Sequence, residues 1–177
     1  MIELVIVIVI AGILAAVMMP RLERDSLREA ANQVVRHIQY TQHLAMVDDV
    51  YDASNTSWRK NRWAINLCST AYTISRTDPT LGFAEDPLTQ RDINGTDNNL
   101  ADKGVNVITP TANPNNCKIV FDNLGRPYGV TTGATTTSLA NLLPTTTIRI
   151  QPNSASSRYA DISIRKETGY VTLINLN

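Results

Sequence analysis

An apolar run at the start of the chain constrains its fold more than any other feature. From Leu4 to Met19 the sequence reads LVIVIVIAGILAAVMM, sixteen consecutive residues without a polar side chain. As an α-helix this run is about 24 Å long, against a bilayer hydrocarbon core of roughly 30 Å. Met1, Ile2 and the turn after Pro20 make a span feasible but tight. Three structures compete for the segment. A secretory signal peptide needs basic residues ahead of its apolar stretch, and Met1-Ile2-Glu3 supplies an acid instead. A buried strand suits VIVIVI, but the run is too long for one strand and its second half is helix-friendly. A single-pass membrane helix fits length and composition best, and is the expectation carried forward.

The rest of the chain is different in kind. Of 16 Lys+Arg and 16 Asp+Glu, Glu3 alone lies in residues 1–20. Net charge is zero, and charged residues make up 18% of the chain, below the roughly 25% usual for soluble domains. This excludes a generally basic nucleic-acid coat. The 43% hydrophobic content excludes wholesale disorder. Glu3 admits two readings from the residues alone. It is a carboxylate at a membrane surface needing no partner, or one in an apolar setting that must find a cation or a proton.

From Arg21 to Val47 there is no Gly or Pro, and Leu27, Ala31, Val34, Ile38 and Ala45 recur at helical spacing with Thr41 in the gap. This predicts an amphipathic stem helix over 21–50, with its apolar stripe against a sheet. Asp48-Asp49 and the polar stretch after them end it. His37 and His43 are six residues apart and do not share the face that a metal pair needs, so they read as surface or sheet-edge histidines.

After residue 62 the period changes to two. Trp63, Ile65 and Leu67 alternate with Ala64, Asn66 and Cys68, and Ala71 to Ser75 reads as the return strand. Further strands are expected at Val105–Thr109, Lys118–Asp122 and Thr146–Gln151. A final hairpin turns at Lys166-Glu167-Thr168-Gly169. The fold class is therefore α+β: a long N-terminal hydrophobic helix packed on an antiparallel β-sheet domain. The expected divisions are 1–20 (membrane or core helix), 21–50 (stem) and 51–177 (β-rich domain). Residues 76–104 carry no recognisable pattern, and the Thr-rich 131–138 reads as loop.

Ile2-Glu3-Leu4-Val5-Ile6-Val7, then Ile10-Ala11-Gly12-Ile13-Leu14-Ala15-Ala16 and Pro20, closely resembles the N-terminus of type IV pilins and pseudopilins. A second block, Phe121-Asp122-Asn123-Leu124-Gly125-Arg126-Pro127, with Thr168-Gly169-Tyr170-Val171 near the C-terminus, is similar to the H-type minor pseudopilins of type II secretion and to FimT-like minor pilins. The resemblance implies a structural subunit that assembles into a type II secretion pseudopilus or a type IV pilus. It implies that Glu3 neutralises the N-terminal amine of a neighbouring subunit, and that Pro20 bends or locally melts the apolar helix. It also implies an inner-membrane, single-pass protein with a periplasmic C-terminal domain. Its partners would be other pilin-like subunits, the inner membrane, and a prepilin peptidase that removes a basic leader ending in glycine. No such leader precedes Met1, so the native start is expected upstream. Arg21, Arg24 and Arg28 follow the apolar run and, by charge alone, would favour the opposite orientation; that leader would reverse the balance.

In an oxidising periplasm, Cys68 and Cys117 read as a disulfide closing the variable loop between them, contributing roughly 4 kcal/mol; the alternative is two buried thiols. The loop Asp92–Asn99 is rich in oxygen ligands but lacks calcium-loop spacing, so no metal is expected. No catalytic or nucleotide-binding motif is present, so neither enzyme activity, a cofactor nor a small-molecule substrate is expected. Trp58-Arg59-Lys60-Asn61-Arg62-Trp63 interleaves aromatic and basic residues. It permits an alternative function, DNA binding through Arg59, Lys60 and Arg62, as in some FimT-like minor pilins. The competing reading is a strand start with Trp63 in the core and solvated cations, which net neutrality favours.

Overall fold

A computed structural model describes residues 2–55, 57–67, 70–96, 98–108, 117–130, 144–153 and 157–176, and within the helix the side chains of residues 17–25 are not described. One helix, α1 (Ile2–Val47), precedes eight described strands. These are β1 (Trp63–Asn66), β2 (Thr73–Arg76), β3 (Val105–Ile108), β4 (Lys118–Phe121), β5 (Pro127–Val130), β6 (Thr146–Pro152), β7 (Ala160–Ile164) and β8 (Val171–Leu176). At 1.5 Å per residue, 46 residues make α1 about 69 Å long. Its backbone is helical through Pro20 as one element, so no break separates a 1–20 segment from the stem.

Two expectations are corrected here. The chain does not fold as a long N-terminal hydrophobic helix packed on an antiparallel β-sheet domain. The strands form two four-stranded sheets, in the orders β2-β1-β4-β5 and β3-β6-β7-β8, all antiparallel. The apolar side chains at 2–16 pack on neither of them and are exposed throughout, and among the described side chains of α1 the first buried one is Leu27. The single-pass inner-membrane location is corrected as well. Among the described residues no helix is long and apolar enough to cross a membrane. The physical reason is length: sixteen apolar residues fall about 6 Å short of a hydrocarbon core, and beyond Pro20 the sequence turns charged.

The core sits between the second half of α1 and the two sheets. Leu27, Ala31, Val34, Ile38, Thr41 and Ala45 line one stripe of the helix, and all are buried. They meet Ile65, Ile74, Ile119 and Phe121 of the first sheet, and Ile148, Ile150, Ile162 and Ile164 of the second, in one cluster. The β-residues fit because alternation puts one face of each strand inward; in β6, Thr146, Ile148 and Ile150 are buried and their neighbours half-buried. Thr41 is the polar member of the stripe, and its hydroxyl donates to the His37 carbonyl one turn back at 2.7 Å.

One side chain fastens the sheets to each other and to the helix. Gln42 on α1 donates from Nε2 to the Gly125 carbonyl and to the Thr168 carbonyl, both at 2.9 Å. It thereby ties the β4–β5 turn to the β7–β8 turn. Gly169 (φ +64°) has to be glycine there, because an added Cβ would lie 2.2 Å from the Gly125 oxygen. Asp122 holds the β4–β5 turn from inside. Its buried carboxylate accepts from the Leu124 and Arg126 backbone N–H groups (3.0 and 2.8 Å), from Arg126 Nε (2.8 Å) and from the Tyr128 hydroxyl (3.2 Å). That set of bonds is the physical content of the Asp-x-x-Gly-Arg-Pro block. In the second sheet Arg149 and Asp161 make a fork, Nε to Oδ1 at 2.7 Å and Nη2 to Oδ2 at 3.0 Å, which holds the Asp161 carboxyl below its usual range.

Candidate functional site

The first third of α1 is the most unusual surface on the molecule. Ile2, Leu4, Val5, Ile6, Val7, Ile8, Val9, Ile10, Ile13 and Leu14 are each at least half exposed. Every other described residue from 2 to 16 is exposed too, so the segment is apolar on all sides rather than along one stripe. Soluble monomers rarely expose contiguous apolar patches above a few hundred Å2. Glu3 sits in the first turn of this segment, where the helix dipole favours a negative charge. Its side chain is exposed and has no ion pair among the described residues. Pro20 lies inside the same helix, at a position whose side chain is not described.

The basic–aromatic segment forms a single 3-10 turn, Trp58–Asn61, leading into β1. It brings Arg59, Lys60 and Arg62 close together, but two of the cations are turned on the aromatic ring. The guanidinium carbons of Arg62 and Arg59 lie 4.5 and 5.6 Å from the centroid of Trp58, and Tyr51 meets the same ring edge-on at 5.1 Å. Arg62 is half-buried, with Nη1 enclosed and lacking a hydrogen-bond partner. Burial lowers its affinity for a proton, and Asp122 opposes that effect. Trp63 is not simply a core residue. Its indole N–H donates to Asp48 at 2.9 Å, Arg76 stacks 4.1 Å from its ring, and Arg76 also pairs with Asp48 at 2.7 Å.

Cys117 is buried and disulfide-bonded. Cys68, the other half of the expected pair, lies outside the described residues, as does the Thr-rich 131–138. Leu67, next to Cys68 in sequence, donates its backbone N–H to the Cys117 carbonyl at 2.9 Å.

A second site was missed by sequence reasoning altogether. A cleft of about 360 Å3 opens between α1 and the loop at 86–93. Its helix wall carries Gln33, Arg36, His37 and Tyr40; the charged residues of its loop wall are Asp86, Arg91 and Asp92. Glu29 and Lys103 close one end, paired at 2.6 Å, and that contact draws the Glu29 carboxyl down. Elsewhere the Tyr40 hydroxyl donates to the Glu85 carbonyl at 2.8 Å, linking the two walls. Behind the cleft Tyr72 is fully buried. Gln33 Nε2 donates to its oxygen at 3.0 Å, and the hydroxyl meets His37 Nδ1 at 2.6 Å. His37 is thus not the plain surface or edge residue expected. Desolvation pulls its pKa below the ordinary value, Asp86 works against this, and Arg36 and Lys103 add to it. Burial likewise pushes the Tyr72 phenol well above its usual range.

The apparently featureless 76–104 region builds this cleft. Isolated bridges pair Ser75 with Phe83 and Glu85 with Asp92, and Asn98 accepts from the Gly95 N–H at 3.0 Å while donating to the Tyr72 carbonyl. Asn94 and Asn98 thus accept from N–H groups of the loop itself, while Asn98 also ties the loop to Tyr72 and Asn99 accepts from Ala101. Among the described residues no group of three or more His, Cys, Asp or Glu is placed to hold a metal.

Comparison with protein-family models, with curated proteins and with solved structures finds no match to this chain.

Proposed function

We propose that the chain is a structural subunit of a filament, a minor pseudopilin or minor pilin of a type II secretion or type IV pilus machine. The observation that carries this reading is the all-round exposure of the apolar segment at residues 2–16. A helix apolar on every side is made to be surrounded. Burying ten large aliphatic side chains contributes on the order of 10 kcal/mol gross, counting about half of each side chain. Two-body association alone costs about 4–15 kcal/mol, and a two-helix contact covers only one face. Packing among several copies of the same segment covers all faces, which is the arrangement of a filament core. Glu3 then lies among apolar neighbours and needs a cation, for which an N-terminal amine of the adjacent subunit is the nearest candidate in the resembled family. The two-sheet domain, rigidly tied to the stem through Gln42, is left to face partners outside the core.

The DNA-binding alternative finds less support. The Trp58 ring that would stack on a base already has Arg62 at 4.5 Å and Arg59 at 5.6 Å from its centroid. Asp48 and Asp78 lie beside the same turn, and the chain as a whole is neutral. The test of the main reading is incorporation. Full-length precursor carrying Glu3→Gln is expected to fold normally and to fail to enter filaments, whereas incorporation at the unmodified level would sink the assembly role of Glu3. A lysine at Ile8 is expected to abolish self-association in sedimentation; unchanged association would remove the apolar segment as the packing surface.

A further inference from the structure

Beyond the filament reading, and independent of it, the 92–99 loop holds an asparagine arranged to modify itself. Asn94 precedes Gly95, whose backbone is left-handed (φ +95°) and lies against Ala71: an added Cβ would sit 3.0 Å from the Ala71 carbonyl oxygen. The fold therefore requires glycine at this position. That requirement has a chemical consequence. A residue without a Cβ leaves its amide nitrogen sterically open to close a five-membered ring on the preceding asparagine side chain. The electrophile is already supported. Asn94 is exposed, and its Oδ1 accepts the Thr96 N–H at 3.1 Å. A donor on that oxygen stabilises the negative charge it gains when Cγ is attacked. The nucleophile, by contrast, is held back. Gly95 is buried, and its N–H donates to Asn98 Oδ1 at 3.0 Å. Its nitrogen attacks only after losing this proton to base.

Asn98 is itself buried, and its Nδ2 donates to the Tyr72 carbonyl. The directions of both Asn98 bonds are fixed, because a backbone N–H only donates and a backbone carbonyl only accepts. The loop is anchored on either side of the pair. The Ile74 N–H donates to the Ile93 carbonyl at 3.0 Å, the Ile93 N–H to the Ala84 carbonyl at 2.8 Å, and the Leu100 N–H to the Thr70 carbonyl at 3.0 Å. Release of the Gly95 nitrogen thus requires a local opening that lifts the loop from Tyr72 and Ala71.

We propose that Asn94 is a latent self-modification site, primed by Thr96 and locked by Asn98. On opening, base removes the Gly95 amide proton and the nitrogen bonds to Asn94 Cγ. The Cγ–Nδ2 bond breaks, and Nδ2 departs as ammonia with a proton from solvent, leaving a succinimide. Water then adds to either imide carbonyl and opens the ring, giving an aspartyl or isoaspartyl residue at position 94. The net change exchanges ammonia for water, with no redox step, and adds a negative charge. The isoaspartyl product also lengthens the backbone by a methylene between the anchored Ile93 and Gly95.

The experiment ages the full chain, kept in solution with mild detergent, at mildly alkaline pH. Proteolysis and mass spectrometry read conversion as a gain of about 1 Da at Asn94. Amide exchange at Gly95 is followed in parallel, since exchange and cyclisation both begin with loss of the same proton. The folded chain is expected to convert at least about tenfold more slowly than the chain in urea, and the Gly95 protection factor should match that ratio within about threefold. Asn98→Ala is expected to raise both rates at least about tenfold where it remains folded. Asn99→Ala, which removes the neighbouring side-chain bond to the Ala101 N–H, should leave them within about twofold. If Asn98→Ala does not fold, the unaltered chain decides: conversion and exchange rising together as urea is added upholds the lock. Equal conversion in the folded and unfolded chain, conversion suppressed far more than exchange, indifference to Asn98→Ala, or equal acceleration by Asn99→Ala would each overturn it. None of these outcomes bears on filament assembly.

Discussion

The two ends of α1 share one helical geometry and present opposite surfaces. From Leu27 onward the apolar positions fall on a single stripe, and that stripe is buried against two sheets. From Ile2 to Ala16 apolar residues occupy nearly every position, and all of them are exposed. Periodicity makes the difference. A stripe with a 3.6-residue repeat can be satisfied by the chain's own sheets, whereas a segment apolar all round needs neighbours on every side. The stem therefore stabilises this molecule, and the N-terminal segment is left without a packing surface among the described residues.

The contrast is most easily broken by equal truncations in the two halves. Ile38→Ala removes a fully buried side chain and is expected to destabilise the fold by about 2–5 kcal/mol in urea unfolding. Ile8→Ala, at a position 62% exposed, is expected to change stability by no more than about 0.5 kcal/mol. Similar losses at both sites would mean that the N-terminal segment also belongs to the monomer's core.

A smaller effect tests how firmly the packed half is fastened. Gly169→Ala places a Cβ against the Gly125 carbonyl in left-handed backbone and is expected to destabilise by about 1–3 kcal/mol. Gln42→Ala, which leaves both turn carbonyls without their donor, should cost about 1–3 kcal/mol as well. Because the two act on one junction, the double variant is expected to lose less than the sum of the singles.

The cleft adds a pH signature confined to the stem. Desolvation depresses the His37 pKa in the folded state below the ordinary imidazole value of 6.5, so the unfolded chain binds the extra proton more readily. The neutral imidazole's contribution is fully present above about pH 6.5 and is lost as pH falls below that value towards the folded pKa. Unfolding titrations should show this loss, and His37→Gln should flatten it. A slope that survives the substitution would assign it to another group. The fork-bound Asp161 titrates in a lower window, because its pKa is depressed from a carboxylate value of 3.8. The smallest stability effect is expected from Glu3→Gln, below about 0.5 kcal/mol, since an exposed side chain with no described partner contributes little to the monomer.

Part of this organisation was legible in the residues alone. The stem stripe, its end before Asp48-Asp49 and most strand positions follow from local periodicity, and each lies within a residue or two of the expected place. The expectation of a long hydrophobic helix packed on an antiparallel β-sheet domain fails for an identifiable cause. Alternation shows which residues face inward, but not which strands pair, and here the pairing splits the eight described strands into two sheets. The aromatic–basic hexamer was visible as composition, yet composition could not show that Trp58 would be covered by its own arginines.

The sequence by itself determined the helix, the strands and the contrast between an all-apolar segment and a striped one, because those depend on residues a few positions apart. Only the tertiary structure decided the junction at Gln42, which reaches carbonyls 83 and 126 residues away. The same is true of the cleft, where His37 and Tyr72 meet across 35 residues and a patternless loop supplies the facing acids. Such contacts are set by where whole elements pack, and a hydrogen bond between distant residues leaves no period in the chain to read.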